Sequence, residues 1–340
     1  MIWLRLCGLR DLCGAIVLKI EAKEEIWPLK ETFRISRGSR TEARVVVVTV
    51  SYGEHIGRGE CVPIRRYNQT CESVIAQIES VEREKNLDRQ SLQKLLPAGA
   101  ARNALDCALW DLEAKRAGKR AWELANIPVV DRVETSFTIS LDAPGKMGEA
   151  ARAAANLPLL KLKLGGDVDL ARVEAVRAAA PAARLLIDAN ESWSPEHYRK
   201  VAPALEQLGV ELIEQPFPAD ADDLLETLDH PVPVCADESC HTTVDLPRLT
   251  NRYEAINVKL DKTGGLTEAL RLCERVRESG FKILIGCMVG TSLGMVPARL
   301  LASTADYVDL DGPLLLARDR EHGLSYRNGK IDMPSRELWG

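Results

Sequence analysis

The sequence predicts an α/β fold: a (β/α)8-type barrel with an N-terminal α+β capping domain completed by the C-terminal tail. Three observations predict it. From about residue 130 a short apolar strand, a polar loop and an amphipathic helix follow one another in a repeating cycle. The markers Lys163, Asp188, Glu214, Asp237, Lys259, Cys287 and Asp309 recur at intervals of 25, 26, 23, 22, 28 and 22 positions. Before the cycle, strand-like runs come first and helical runs afterwards, the arrangement of a small α+β unit.

Taken in order, residues 16–62 contain strand runs, above all ARVVVVTVSY, which ends in a turn before GEHIGRGECVP. Residues 70–120 place apolar side chains at helical spacing in CESVIAQIESVEREKNL and AARNALDCALWDLEAKRAG, with Gly118 as the stop. The eight strand candidates are VETSFTIS, LLKLKLG, LLIDAN, ELIEQP, PVCADES, AINVKL, KILIGCM and YVDLDG. A leucine-rich solenoid shares the interval, but helices as long as LTEALRLCERVRESG do not fit its unit. In the tail, LSYRNGKIDMP is a hairpin signal with Asn328-Gly329 at the turn. The expected boundaries are 1–128 for the cap, 129–315 for the barrel and 316–340 for a tail that returns to the cap.

Composition removes several classes of function. The 340 residues are 46% hydrophobic and 28% charged with a net charge of -5, so no basic surplus exists for a nucleic-acid backbone. No run approaches the ~18 apolar residues of a membrane span. The N-terminus resembles a signal peptide, but Arg5, Arg10 and Asp11 interrupt it, and residues 1–15 are read as a poorly ordered extension. Nine scattered cysteines without C-x-x-C favour reduced thiols and a cytoplasmic protein, and five scattered histidines leave carboxylates as the expected ligands of any metal. A homo-oligomer stays open.

The strand ends carry the chemistry. In a barrel these ends open onto the site-bearing face, and here nearly every one is charged: Lys161 and Lys163, Asp188, Glu214, Asp237, Lys259, then Asp309 and Asp311. Asp188, Glu214 and Asp237 come from three successive strands and can converge on one point. Such carboxylates repel unless a cation intervenes. Mg2+ suits an all-oxygen set best, with Mn2+ next; salt bridges to the neighbouring lysines are the alternative. Period two puts Lys161 and Lys163 on one face of strand two, and Lys259 on strand six stands across the ring. Two lysines flanking a substrate on opposite faces is the geometry of a racemase or epimerase. A lysine beside a metal and other lysines is expected to have a lowered pKa.

Lys-x-Lys, DAN, IEQP, ADES and VKLDKTGG, in this order and spacing, resemble the enolase superfamily and its muconate-cycloisomerase subgroup from residue 16 onward. The resemblance implies Lys163 and Lys259 as acid/base catalysts, with Asp188, Glu214 and Asp237 holding one Mg2+. It also implies that Lys161 contacts the substrate carboxylate and depresses the pKa of Lys163. Asp309 and Asp311 share a face by period two and would suit a substrate ammonium. That D-x-D, with RGSRTEARVVVV and GECVP, resembles dipeptide epimerases of the L-Ala-D/L-Glu type, associated with murein-peptide salvage. FRISRGSRTEARVV resembles a capping loop, where Arg37 or Arg40 would grip the carboxylate of an acidic C-terminal residue. The likeness also points to Thr138, Cys287 and Val289 as pocket lining. N-acylamino-acid racemase, o-succinylbenzoate synthase and cycloisomerase activities share the half-reaction and are the alternatives; a barrel that binds without catalysis is a third.

Overall fold

A computed structural model describes residues 18–84 and 86–340. The N-terminal extension expected over residues 1–15 lies outside them.

The cap begins as an antiparallel meander of Lys19–Ile35, Gly38–Tyr52 and His55–Cys61. Period two divides the central valines between two cores. Val46, Val48 and Val50 pack with the cap helices, while Val45 and Val47 face the barrel. Burial of each contributes roughly 1.5–3 kcal/mol, so the strand is pinned on both sides. The helix Ala100–Ala117 lies directly on the third strand and ends at Gly118, whose φ of 64° is left-handed as a C-terminal stop requires. Close approach depends on Gly59: a Cβ there would overlap the carbonyl of Ala104.

Eight parallel strands follow in sequence order: Phe137–Ile139, Leu159–Lys163, Arg184–Asp188, Val210–Glu214, Val234–Ala236, Ala255–Val258, Lys282–Gly286 and Tyr307–Asp309. The ring is nearly closed, with the N–H of Ser136 donating to the carbonyl of Val308 at 2.9 Å. The strand expected over VETSFTIS is split. Val133–Glu134 instead pairs with Lys330–Ile331 in an outer sheet, and only Phe137–Ile139 enters the barrel. The chain changes partner at Thr135, whose N–H goes to the carbonyl of Gly329.

Inside the ring, side chains alternate by layer. Leu159, Leu186, Leu212, Cys235, Ala255, Leu284 and Tyr307 form an apolar floor. Two residues further along the same strands stand Lys161, Asp188, Glu214, Asp237, Asn257, Gly286 and Asp309. Apolar packing thus supports a charged layer directly above it. Gly286 belongs to that layer because a Cβ there would overlap Asn257.

The tail hairpin turns at Asn328 and Gly329, with φ of 51° and 72°, as the Asn-Gly signal predicts. Its end docks on the cap helix: Trp339 Nε1 donates to the carbonyl of Cys107 at 3.1 Å, and the Gly340 N–H to Asp111 at 2.7 Å.

Candidate active site

The register of the strands assembles the charged layer. Asp188 pairs laterally with Lys163 on one side and Glu214 on the other. Lys163 Nζ lies 2.6 Å from Asp188 Oδ2. Lys161 Nζ, fully buried, lies 2.6 Å from both Glu214 and Asp309 and 3.5 Å from Asp188. Across the ring, Lys259 Nζ is 2.7 Å from Asp237 and 3.7 Å from Glu214. A fourth ammonium, Lys262, is 2.7 Å from Asp237 Oδ1. Four ammonium groups therefore face four carboxylates, Asp188, Glu214, Asp237 and Asp309, and the buried layer is charge-balanced.

This arrangement is the salt-bridged alternative among the sequence expectations. Among the described residues no three His, Cys, Asp or Glu side chains are drawn together as a metal nest, because ammonium groups stand between the carboxylates. For Lys161 and Lys259 a lowered pKa is not what these neighbours produce. Burial pulls Lys161 and Lys259 down, but the carboxylates outweigh it and hold both well above the usual lysine value. Burial likewise pushes Asp188 up, yet Lys163 and Lys161 bring it down to about 2. Burial raises Asp237 too, but Lys259 and Lys262 outweigh it and hold it low, while burial and Asp188 leave Glu214 raised.

The donor chemistry fits a hard divalent cation all the same. Three buried acceptor-only groups sit on adjacent strand ends, the oxygen donor set that such an ion takes. A cation on them would weaken the pull that keeps Lys259 protonated.

Above the layer opens a cleft between barrel and cap. Lys163, Asp237 and Lys259 line it, as do Asp309, Asp311 and Thr138. The strand-seven candidates Cys287 and Val289 reach it from just beyond Gly286, and Arg37 and Arg40 reach it from the cap. Lys161, Asp188 and Glu214 are buried behind these groups.

The two aspartates of strand eight differ. The strand ends at Asp309, and Asp311 lies past it at the start of the short helix Gly312–Leu315. Asp309 accepts from Ser136 and Lys161, both at 2.6 Å. Asp311 accepts the N–H of Thr138, also at 2.6 Å, and burial together with Asp309 pushes its carboxyl up to about 7. The two arginines differ as well. Arg37 is engaged by Asn190, Glu191 and Glu238, whereas Arg40 has no acidic partner among the described residues, and burial with the charge of Arg37 lowers its pKa.

The cleft also contains residues that sequence reasoning missed: Arg66 and Tyr67 from a second cap segment, and Asn190 and Glu238 from barrel loops. Glu238 and Asn190 stand inside the ADES and DAN motifs, so adjacency was their signal. Lys262 was detectable from its i+3 spacing to Lys259 on one helical turn. Arg66 and Tyr67 carry no periodic signal.

Known proteins match this architecture over nearly the whole described chain. The mandelate racemase / muconate lactonizing enzyme N-terminal domain family matches residues 18–125, and the enolase C-terminal domain-like family matches residues 146–337. The chain belongs to this enolase-superfamily family. Within it, L-Ala-D/L-Glu epimerase of Escherichia coli is 47% identical over 92% of this chain and 99% of its own. N-acetyl-D-glutamate racemase of a Pseudoalteromonas species is 44% identical over 87% and 95%. Among solved family structures, an Agrobacterium tumefaciens member with homology to dipeptide epimerases, bound to sodium and L-Ala-L-Glu, superposes with a TM-score of 0.92 at 49% identity, covering 95% of this chain and 100% of that one. The dipeptide epimerase of Enterococcus faecalis, complexed with Mg and L-Leu-L-Tyr, gives 0.88 at 28% identity, covering 95% and 99%. No helix among the described residues is long and apolar enough to cross a membrane.

Proposed function

We propose that the chain is a magnesium-dependent dipeptide epimerase that inverts the α-carbon of the C-terminal residue of L-Ala-L-Glu or L-Ala-D-Glu. The observation that carries this reading is the placement of Lys163 at the end of strand two and Lys259 just past the end of strand six, lining one cleft from opposite sides. A cleft with a proton carrier on each face can take a proton from one side of a carbon and return one to the other.

Asp188, Glu214 and Asp237 would hold one Mg2+, with Mn2+ as the alternative, and the ion supplies positive charge where the substrate carboxylate gains electron density. One lysine, as the free amine, takes the α-proton, and the C–H electron pair moves into the carboxylate as an enediolate. The opposite lysine, as the ammonium, delivers a proton to the other face and restores a tetrahedral carbon of inverted configuration. Lys161, buried between Glu214 and Asp309, contributes a fixed positive charge beside the reacting carboxylate. Asp311 receives the substrate ammonium, supported by its burial without a cationic partner among the described residues. Arg40 grips the side-chain carboxylate, supported by its lack of an acidic partner among the described residues.

A racemase of N-acylated glutamate is the second reading, favoured by the 44% identity to N-acetyl-D-glutamate racemase. Such a substrate has no ammonium for Asp311. Deuterium incorporation at the glutamate α-carbon in D2O, with Mg2+ and a dipeptide panel beside N-acetylglutamate, tests both. Dipeptide exchange is the expected result; absence of exchange into every dipeptide sinks the reading.

A further inference from the structure

One buried carboxylate outside the proton-transfer machinery draws three parts of the molecule together. Glu191 follows Asp188 by three positions, in the loop after strand three, and its side chain is 6% exposed. Oε2 receives Arg37 Nη1 at 3.0 Å and Arg66 Nε at 2.9 Å; Oε1 receives Arg66 Nη2 and the N–H of Ala219, both at 3.0 Å. Arg37 comes from the first cap turn, between the strands Lys19–Ile35 and Gly38–Tyr52, and Arg66 from the cap turn Arg65–Tyr67. These two cap segments wall the cleft, and both terminate on the same barrel carboxylate.

Arg37 ties the cap still more firmly. It also donates to the carbonyl of Asn190 at 2.7 Å and to Glu238 Oε1 at 2.7 Å, and Ser36 adds a bond to Asn190 at 3.1 Å. The loop that receives them is strained: Asn190 and Glu191 have φ of 46° and 65°. Such backbone persists when its surroundings over-determine it. Here the Glu191 N–H bonds the carbonyl of Gln215 and the Trp193 N–H that of Pro216, each at 2.9 Å. The strain aims the carboxylate up at the cap. Charge-assisted, partly bidentate bonds to arginine are among the stronger polar contacts available, and this carboxylate collects them from both walls of the cleft mouth.

We propose that Glu191 is a positioning residue that clasps both cap segments shut over the substrate, acting through Arg37 and Arg66. This deepens the dipeptide reading and rests on it, since the cleft being closed is the one in which the substrate would lie. Closure by such a clasp serves every substrate alike, whereas Arg40 distinguishes acidic side chains from neutral ones.

The test is Glu191→Gln, which keeps the shape and removes the charge. Amide hydrogen exchange of the substrate-free protein should quicken over residues 33–40 and 64–68, with the barrel strands unchanged. KM for L-Ala-L-Glu and for L-Ala-L-Gln should rise by the same factor, about tenfold or more, with kcat changing less. Arg66→Met should loosen the second segment, and its effect should not add to that of Glu191→Gln, as expected of one shared contact. If Glu191→Gln melts early, the Arg37→Met and Arg66→Met variants carry the same test from the cap side. Unchanged exchange over both segments overturns the proposal, as does a KM change confined to the acidic dipeptide. Because the exchange arm needs no substrate, it decides the clasp even if the wild-type protein turned over no dipeptide.

Discussion

Replacing Asp311 by Asn removes one charge and little else. The asparagine side-chain oxygen can still accept the Thr138 N–H that Asp311 accepts at 2.6 Å, so the start of the last short helix keeps its anchor. The lost charge has no cationic partner within salt-bridge distance among the described residues. Asp309 is neutralised by Lys161, while Asp311 is 3% exposed and pushed up to about 7, by burial first and Asp309 second. Breaking a buried charge pair costs about 2–5 kcal/mol. Part of that is offset because Asp311 must first be ionised against its raised pKa, so the lower half of the range applies, about 30–300-fold in kcat/KM for L-Ala-L-Glu. Steady-state kinetics on the dipeptide and on N-acetylglutamate provide the assay. The dipeptide should fall by that factor, and any exchange into N-acetylglutamate should not fall. Because the carboxyl is the anion only above about 7, dipeptide kcat/KM should climb as pH rises through that value, and Asp311→Asn should abolish the climb. Unchanged dipeptide turnover, or equal losses on both compounds, would show that Asp311 does not hold the substrate ammonium.

Arg40→Met should lower kcat/KM for L-Ala-L-Glu about 10–100-fold while leaving L-Ala-L-Gln nearly unaffected, measured by competition between the two. Chelation by EDTA should abolish α-proton exchange and added Mg2+ should restore it; the melting temperature should rise with Mg2+ concentration by mass action. Asp261 is pushed up to about 7, by burial against the opposing bonds from Val62 and Asn103. The folded protein therefore holds a proton that the unfolded chain releases near the ordinary value of 3.8. Its contribution to stability is complete below that value and is lost as pH climbs through about 7, at no more than about 1.4 kcal/mol per pH unit. Urea denaturation across this window should show a flatter pH dependence for Asp261→Asn than for wild type.

The charged layer was legible because one rule, alternation along a strand, places Leu159, Lys161 and Lys163 inward together, and repeats that layering on strands three to eight. Alternation says nothing about partner choice. VETSFTIS alternates well enough to read as one strand, yet the Thr135 and Ser136 N–H groups go to Gly329 and Val308, residues remote in sequence. Charge balance was equally invisible. Whether carboxylates meet ammonium groups or a metal depends on how many lysines reach the same depth, and Lys262 completes the count from a helix rather than a strand. Asp309 and Asp311 were placed together by period two, but the strand stops between them, and that stop separates a neutralised aspartate from one that is not. Glu191 escaped notice because its role depends on two arginines more than a hundred positions away.

The proposed function requires that Lys163 and Lys259 serve opposite faces of one carbon. Solvent-deuterium exchange followed separately for L-Ala-L-Glu and L-Ala-D-Glu, on Lys163→Ala and Lys259→Ala, tests it most directly. Each variant should lose interconversion of the epimers and lose α-exchange from one of them, keeping exchange with retained configuration in the other, and the two variants should be complementary. Exchange that survives for the same epimer in both variants, or interconversion that survives in either, would contradict it.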